Sequence, residues 1–328
     1  SYSGPEPDGY MTNDEVVAFL DGYRASFSPP VQTQTTVEQV TSLENGFRVD
    51  TDQGPVSTRA VVVATGACSA PSVPALAEAL PSRIRQITSI EYRNAGSLGE
   101  GRALVVGASA SGAQIADELR RSGREVTLAV GEHIRVPRTY RGMDIHWWMD
   151  AIGLLDERYD EVEDIGRARR LPSLQLVGSP ERRTVDLSSL HADGVQLVGR
   201  FAGVVGRTGQ FSGSFANHCA SADLKLGRLL DAIDEFASTR GLDVEVGAPD
   251  RPDRTVAPLA DTTLDLDAID TVVWATGFRP RYPWLEPDLL DHKGAIRHDG
   301  GVLRRPGMYV LGLPFTRRRK SSFLDGVG

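Results

Sequence analysis

Small residues in the stretch ALVVGASASGAQIADEL, residues 103–119, have a spacing that suits two kinds of chemistry. The nucleophile elbow of hydrolases requires G-x-S-x-G. Gly107 and Ser109 meet that pattern, but Ser111 stands in the place of the last glycine, and no Asp and His follow in a convincing order. The phosphate-binding pattern G-x-G-x-x-G fits better, with Gly107 and Gly112 in its outer places and Ser109 in the middle. A plain turn with incidental glycines is the third interpretation.

The elements predicted around this turn are those that a dinucleotide site needs: a strand over 103–106, a helix over 110–122 and a strand over 125–130. Gly107 permits a tight turn, Ser109 is small enough for close approach to a diphosphate, and Gly112 lets helix and strand pack closely. Free amides and the dipole at the start of the helix favour an anion there. The sequence therefore predicts that a dinucleotide is bound by Gly107, Ala108, Ser109, Ala110, Ser111 and Gly112.

The end of the second strand bears on which dinucleotide is bound. A site specific for NAD needs an acid near position 130, where it holds the ribose 2′-hydroxyl. This chain has Val130 and Gly131 there, and Glu132 comes slightly late. Arg135 and Arg138 follow, and a guanidinium group suits a 2′-phosphate through bidentate, charge-assisted hydrogen bonds. We therefore expect NADPH rather than NADH, with solvated surface arginines as the alternative.

Composition limits the class of protein that carries this turn. A chain of 328 residues, 40% hydrophobic, forms one large domain or two ordinary ones, and its net charge of −8 argues against general nucleic-acid binding. No apolar run reaches the ~18 to 20 residues of a membrane span, and no signal peptide is evident. Cys68 and Cys219 are too far apart for a CxxC pair, and the histidines lack metal-ligand spacing. We expect a cytoplasmic bacterial protein without a metal; the oligomeric state leaves no signature.

The remaining elements alternate between strands and helices. Thr12 and Glu15 form the capping box of a helix that runs to Phe27. An antiparallel meander is predicted over 35–43 and 46–51, and buried strands are predicted over 60–64, 270–277 and 308–313. A clear helix is predicted over about 220–238. This alternation predicts an α/β fold with a doubly wound sheet.

Two segments share one design, an apolar strand followed by Ala-Thr-Gly and an extended proline loop: VVVATGACSAPSVP (61–74) and VVWATGFRPRYPWL (272–285). The first matches the form ATGxxSxPxxP at Ala64, Thr65, Gly66, Ser69, Pro71 and Pro74. Together with the GxSxSG form of the glycine turn, these segments make the chain resemble the flavin-containing monooxygenase superfamily, within the flavoproteins that have two dinucleotide-binding domains. The resemblance covers essentially the whole chain.

The resemblance implies two Rossmann-like dinucleotide-binding domains, with an NADPH domain over 98–280 inserted into an FAD domain formed by 1–97 and 281–328. It implies that FAD lies near Val37, Ala64, Thr65, Gly66 and, at the start of a helix, Asp325. Ala275, Thr276 and Gly277 would line the side that faces NADPH. The implied partners are a small organic substrate and O2.

Two departures from the family pattern leave alternatives open. The leading GxGxxG of the FAD domain is absent, so we expect an N-terminally truncated chain whose FAD domain lacks its first βα unit. The family fingerprint FxGxxxHSxxY keeps Ser89 and Tyr92, but Ser82, Ile84 and Thr88 replace its Phe, Gly and His. An NADPH- and FAD-dependent monooxygenase is therefore expected, with a flavin reductase or dehydrogenase and a non-catalytic dinucleotide-binding fragment as alternatives.

Other features are predicted less specifically. The stretch 142–157, with His146, Trp147 and Trp148, forms either a substrate cavity or, more simply, a core helix. The basic run TRRRK, 316–320, either attracts cofactor phosphates or forms a solvated loop. Cys68 is expected to be a small buried side chain. No side chain is assigned to catalysis, because the cofactors carry the chemistry of this reaction class.

Overall fold

The computed structural model describes residues 9–179, 181–255 and 261–327. The α-helices are α1 (Asn13–Phe27), α2 (Ala110–Arg121), α3 (Ile145–Ala151), α4 (Ile165–Ala168), α5 (Leu187–Ala192) and α6 (Phe215–Thr239). Short 3-10 helices cover Ala75–Ala79, Ala95–Ser97, Leu154–Asp156, Leu242–Val244, Leu266–Ala268 and Pro287–Leu289.

The strands follow in chain order, many of them only two to four residues long. The first are β1 (Val37–Leu43), β2 (Gly46–Thr51), β3 (Val56–Thr58), β4 (Val61–Val63), β5 (Arg85–Thr88), β6 (Ala103–Val106), β7 (Val126–Ala129), β8 (Ile134–Arg135), β9 (Thr139–Tyr140) and β10 (Met143–Asp144). The others are β11 (Leu174–Gln175), β12 (Gln196–Val198), β13 (Phe201–Val205), β14 (Thr208–Phe211), β15 (Thr263–Asp265), β16 (Thr271–Trp274), β17 (His298–Asp299), β18 (Val302–Leu303) and β19 (Met308–Val310).

The chain divides into two compact units. The first unit consists of the described residues within Ser1–Val63, Gly178–Arg183 and Arg281–Val310. The second consists of those within Ala64–Val177, Thr184–Pro280 and Leu311–Gly328. The predicted domain limits at residues 98 and 280 remain a prediction.

The first unit contains α1, the antiparallel meander β1-β2-β3, and a sheet of order β17-β18-β19-β4 in which β19 and β4 are parallel. The capping box of α1 is confirmed, since the side chains of Thr12 and Glu15 each accept a hydrogen bond from the other's backbone amide. The antiparallel pairing predicted between 35–43 and 46–51 is also confirmed, as β1 and β2, and β3 adds a third strand to it. No residue of α1 is buried, although its sequence has an apolar face.

The second unit is built on a five-stranded parallel sheet of order β12-β7-β6-β16-β5. The strand, turn, helix and strand predicted over 103–130 are confirmed as β6, α2 and β7. The central strands are buried along their whole length, as parallel strands covered on both faces require. This arrangement is the mixed α/β fold with a Rossmann-type sheet that the sequence predicts.

Apolar layers cover both faces of this sheet. On one face, side chains of α2 and α5 such as Ala113, Leu119 and Leu190 pack against Val105 and Leu128. The other face packs against the meander of order β13-β14-β15 and the 3-10 helix Ala75–Ala79. A further cluster joins α3 to α6. The sheet is therefore held rigidly, and its strand ends provide a fixed edge.

Candidate functional site

The candidate site lies at the carboxyl edge of the five-stranded sheet. The five strands end level with one another. Their last residues pair across the sheet in the order Thr88, Trp274, Val106, Ala129 and Val198. The strands β7 and β16 flank β6, and the chain leaves β6 through α2 towards β7. This position is a topological switch point, and ligands of open α/β sheets bind in the crevice outside such a point.

Two glycines shape the turn that follows β6. Gly107 has a φ of +107°, and a Cβ atom there would collide with the carbonyl oxygen of Ala275. Gly112, in the first turn of α2, faces the Gly107 carbonyl oxygen so closely that a Cβ atom would overlap it. These are the roles that the G-x-G-x-x-G pattern gives to its first and last glycines. The turn therefore has the local geometry of a dinucleotide-binding turn.

The helix that follows this turn begins without a side-chain cap. Ser109 is the N-cap residue of α2, and its side chain makes no capping hydrogen bond to any described residue. The first N–H groups of a helix have no acceptor within the helix, and they favour an anion in front of them. Ala108 is buried, Ser109 and Ala110 are half-buried, and Ser111 is exposed. The turn residues singled out from the sequence are thus brought together at the edge of the sheet.

One partner of this turn is not evident in the sequence. Gln175, in the short strand β11, donates a hydrogen bond from Nε2 to the Ala108 carbonyl oxygen over 2.6 Å. Its side chain is 1% exposed. The two residues are 67 positions apart, and no local pattern around Gln175 indicates the contact.

The two Ala-Thr-Gly segments meet through their following loops. The Ser72 amide donates to the Gly277 carbonyl oxygen over 2.9 Å, and Thr276 donates from Oγ1 to the Ser72 carbonyl oxygen. The amide of Ala275 is bonded to the end of β6. The second segment therefore lies directly beside the glycine turn.

Two charged side chains, those of Glu132 and Lys225, form an ion pair at the end of β7. The side chain of Glu132 accepts a hydrogen bond from Lys225 Nζ over 3.0 Å, and this bond lowers the pKa of the Glu132 carboxyl. Lys225 lies on α6, far along the chain. Its only signal in the sequence is its rarity, since the chain has three lysines among 36 basic residues.

His133 follows Glu132 and is almost fully buried. Its Nδ1 lies 3.1 Å from the Gly131 carbonyl oxygen, while its Nε2 has no partner in the described part of the chain. Burial lowers the pKa of His133, so the imidazole is neutral at pH 7.

The two arginines proposed to bind a 2′-phosphate are both buried and paired with carboxylates. Arg135 donates from Nε to Asp186 and from Nη1 to Asp223, each over 2.8 Å. Arg138 donates from Nη2 to Asp144. A phosphate would have to displace these carboxylates, so the role of Arg135 and Arg138 in NADPH binding stays a prediction.

The residues predicted to lie near FAD fall in both units. Val37 begins β1 in the first unit, whereas Ala64, Thr65 and Gly66 directly follow β4 and belong to the second. Asp325 is exposed, lies in a turn and is 4.0 Å from Lys320 Nζ. These flavin-binding roles stay predictions.

Three further expectations have clear outcomes. Trp148 is a core residue whose Nε1 donates to the Tyr140 carbonyl oxygen, while Trp147 is exposed. The basic run 316–320 is paired with acidic side chains, as in the ion pair of Lys320 with Asp156. The expectation that Cys68 is buried is wrong: it is exposed, because it lies on the loop after the first Ala-Thr-Gly segment.

The described residues contain no group of three or more His, Cys, Asp or Glu side chains placed to hold a metal ion. Among the helices formed by these residues, none combines the length and apolar character that a membrane crossing requires.

Comparison with known proteins identifies relatives along the whole chain. Residues 4–146 match the family described as pyridine nucleotide-disulphide oxidoreductase. An uncharacterized oxidoreductase, CzcO-like, of Geobacillus kaustophilus (strain HTA426) is 31% identical over 326 residues, which cover 98% of this chain and 77% of the relative. The oxidoreductase CzcO of Bacillus subtilis (strain 168) is 27% identical over 324 residues, with the same coverage.

Among solved structures, a flavin-containing monooxygenase from Stenotrophomonas maltophilia aligns with a TM-score of 0.63 at 21% identity. The alignment covers 100% of this chain and 75% of that one. This likeness concerns the fold, and it agrees with the Rossmann-type sheet and glycine turn described above. The chain thus belongs to the CzcO-like oxidoreductases.

Proposed function

We propose that this protein is an FAD-dependent oxidoreductase that uses NADPH to reduce the flavin and inserts one oxygen atom from O2 into a small organic substrate. The observation that carries the proposal is the turn from Gly107 to Gly112, placed at the switch point of a parallel sheet and followed by a helix with free amides. This combination favours a diphosphate rather than a nucleophilic serine, because the pattern of a nucleophile elbow is incomplete.

The end of β7 supports the choice of NADPH. Position 130 is a buried valine, so no acid occupies the place that holds the ribose 2′-hydroxyl of NAD. The first acid after the strand, Glu132, is neutralised by Lys225. If a 2′-phosphate bound here, Lys225 would leave its weak, partly exposed ion pair with Glu132 and make a charge-assisted contact with the phosphate. Arg135 and Arg138 are proposed to act there only if their carboxylate pairs rearrange.

The residues that follow β4 have side chains of a size that suits close contact with a flavin. Gly66 has a φ of +70°, and apart from its chain neighbours no described residue lies within 4 Å of the place its Cβ would occupy, so a flat ring can approach its backbone closely. Ala64 and Thr65 beside it are also small. Together with Val37 and Asp325, they are the residues proposed to hold FAD, in a domain formed by 1–97 and 281–328 around an NADPH domain over 98–280.

In this mechanism the chain's own groups bind and orient the two dinucleotides. Amides of Ser109 to Gly112 receive the diphosphate, and the strand ends at Ala275 to Gly277 border the same turn. FAD, when bound, supplies hydride acceptance from the nicotinamide and electron transfer to O2 or another acceptor. No side chain is proposed as a general acid or base. The contribution of the protein is the fixed placement of the two dinucleotides.

A flavin reductase or dehydrogenase is the second candidate, and one observation favours it. Of the monooxygenase fingerprint FxGxxxHSxxY, the positions of Phe, Gly and His are Ser82, Ile84 and Thr88. Ile84 is a core residue, and Thr88 donates its hydroxyl hydrogen to Glu91. These residues have structural roles here, so oxygen insertion rests on resemblance alone.

The test is to supply the chain with FAD and follow the consumption of NADPH, NADH and O2. The proposal expects flavin bleaching by NADPH at lower concentration than by NADH, and incorporation of one labelled oxygen atom from 18O2 into an organic sulfide or ketone. Full recovery of the electrons in hydrogen peroxide or an added quinone supports the reductase instead. Absence of FAD binding, measured by ultrafiltration and absorbance, contradicts both candidates.

A further inference from the structure

The side chain of Gln175 is an unusual group to bury beside the glycine turn. Its Nε2 donates to the Ala108 carbonyl oxygen, and its Oε1 meets no donor among the described residues. A buried acceptor without a donor is destabilising, whereas a methionine of similar size would fill the space without that cost. The presence of a glutamine is therefore explained by the one bond that its amide makes.

That bond fixes the orientation of a peptide group. Ala108 and Ser109 share a planar trans peptide, in which the carbonyl and the N–H point in opposite directions. Because the carbonyl points at a side chain that is 1% exposed, the Ser109 N–H points away from the interior. Ser109 itself is half-buried at the start of α2, and we expect its amide to face the proposed diphosphate.

Gln175 is in turn held by a rigid support. Its strand, β11, pairs with β8 in parallel, and Gln175 lies opposite Arg135 in the register. The guanidinium of Arg135 is fixed by Asp186 and Asp223, the second of which lies on α6. The buried ion pairs thus anchor β8 and β11, and β11 presents the amide to the turn.

We propose that Gln175 is a positioning residue for dinucleotide binding: its side-chain amide locks the Ala108–Ser109 peptide so that the Ser109 N–H is directed at the diphosphate. This inference rests on the proposed function, because it requires a dinucleotide at the turn. Without the lock, the peptide rotates between orientations, and binding must select the competent one. Removal of this hydrogen bond therefore lowers the affinity for any ligand that contains a diphosphate.

The experiment measures binding of ADP-ribose to the FAD-loaded chain by calorimetry, for the wild type, Gln175→Met and Gln175→Glu. Loss of one positioned hydrogen bond corresponds to a dissociation constant raised about tenfold in Gln175→Met. We expect the KM for NADPH to rise in parallel while kcat at saturating NADPH stays unchanged. The matched control is Gln196→Met on β12, an edge strand of the five-stranded sheet, and this variant should bind as the wild type does.

Gln175→Glu separates positioning from packing. A neutral carboxyl group can donate to the Ala108 carbonyl oxygen, and a charged one cannot. The affinity of this variant for ADP-ribose should therefore recover as the pH is lowered, while that of Gln175→Met should not. Wild-type affinity in Gln175→Met, or a pH-independent loss in Gln175→Glu, overturns the inference. Failure of the wild type to bind ADP-ribose instead overturns the proposed function.

Discussion

The carbonyl oxygen of Gly107 faces the Cα atom of Gly112 so closely that no side chain fits at position 112. The close approach brings the first turn of α2 against the residue that follows β6. A single steric relationship therefore joins the fold to the proposed binding of a diphosphate.

Replacement of Gly112 by alanine should disrupt this approach. The new methyl group must push the turn away from α2, at a cost of about 1–3 kcal/mol in the free energy of unfolding. NADPH affinity, measured by fluorescence titration, should fall at least tenfold. The control is Gly227→Ala on α6, where a Cβ atom would meet no described residue outside the adjoining helix backbone, and the change should stabilise the helix by roughly 0.5–1 kcal/mol. Unchanged NADPH affinity in Gly112→Ala would contradict the assignment of the turn.

The pair of Glu132 and Lys225 should decide between the two nicotinamide dinucleotides. Lys225→Met removes the cation proposed to meet the 2′-phosphate, so kcat/KM for NADPH should fall about tenfold, which corresponds to about 1.4 kcal/mol. The same change frees Glu132 to accept hydrogen bonds from ribose hydroxyls, so kcat/KM for NADH should stay equal or rise. Binding of 2′-AMP gives an independent measure.

Lys293→Met is the control for this change, because Lys293 is an exposed lysine of the first unit. Equal losses for NADPH and NADH in Lys225→Met would show that Lys225 does not read the 2′-phosphate.

Arg135 should matter for stability. Its replacement by methionine leaves Asp186 and Asp223 without their buried partner, and breaking a buried ion pair in this way costs about 3–5 kcal/mol. Urea unfolding followed by circular dichroism measures the loss. Arg207→Met, which removes an exposed pair with Asp267, should cost less than about 1 kcal/mol. A similar small loss for Arg135→Met would favour its use in ligand binding over a structural role.

His133 should make stability depend on pH. Burial lowers its pKa below the ordinary 6.5 and outweighs the hydrogen bond with the Gly131 carbonyl oxygen and the charge of Asp223, which both act in the opposite direction. As the pH falls below about 6.5 the unfolded chain binds a proton before the folded chain does, so the folded state loses stability; above 6.5 this loss is absent. A tenfold difference in proton affinity is worth about 1.4 kcal/mol.

His133→Phe should therefore lose less stability than the wild type between pH 7.5 and pH 5.5, as measured by urea midpoints. Parallel losses in the two proteins would show that His133 keeps its ordinary pKa in the folded chain.

The two cysteines should differ in reactivity. Cys68 is exposed, whereas burial raises the pKa of the Cys219 thiol to about 11, so Cys219 is protonated and shielded at neutral pH. Brief treatment of the native protein with iodoacetamide should label Cys68 alone, and treatment in urea should label both, as peptide mass spectrometry can show. Rapid native labelling of Cys219 would mean that the packing around α6 opens readily.

Local patterns in the sequence determined the capping box of α1, the order of β6, α2 and β7, the spacing of Gly107 and Gly112, and the family. Each depends on residues close together in the chain, where periodicity, small side chains and turn geometry act directly. The exposure of Cys68 was missed, because a small apolar side chain after an apolar strand does not reveal that its own loop faces solvent.

Only the tertiary structure decided what the side chains contact. Arg135 was selected from the sequence as a phosphate ligand, but the fold surrounds it with Asp186 and Asp223 from distant segments. Lys225 contacts Glu132, which is 93 residues away in the chain, and Gln175 contacts Ala108, which is 67 residues away. Hydrogen bonds and ion pairs depend on distances of a few ångströms, and those distances are fixed by how separate elements pack, which no local pattern specifies.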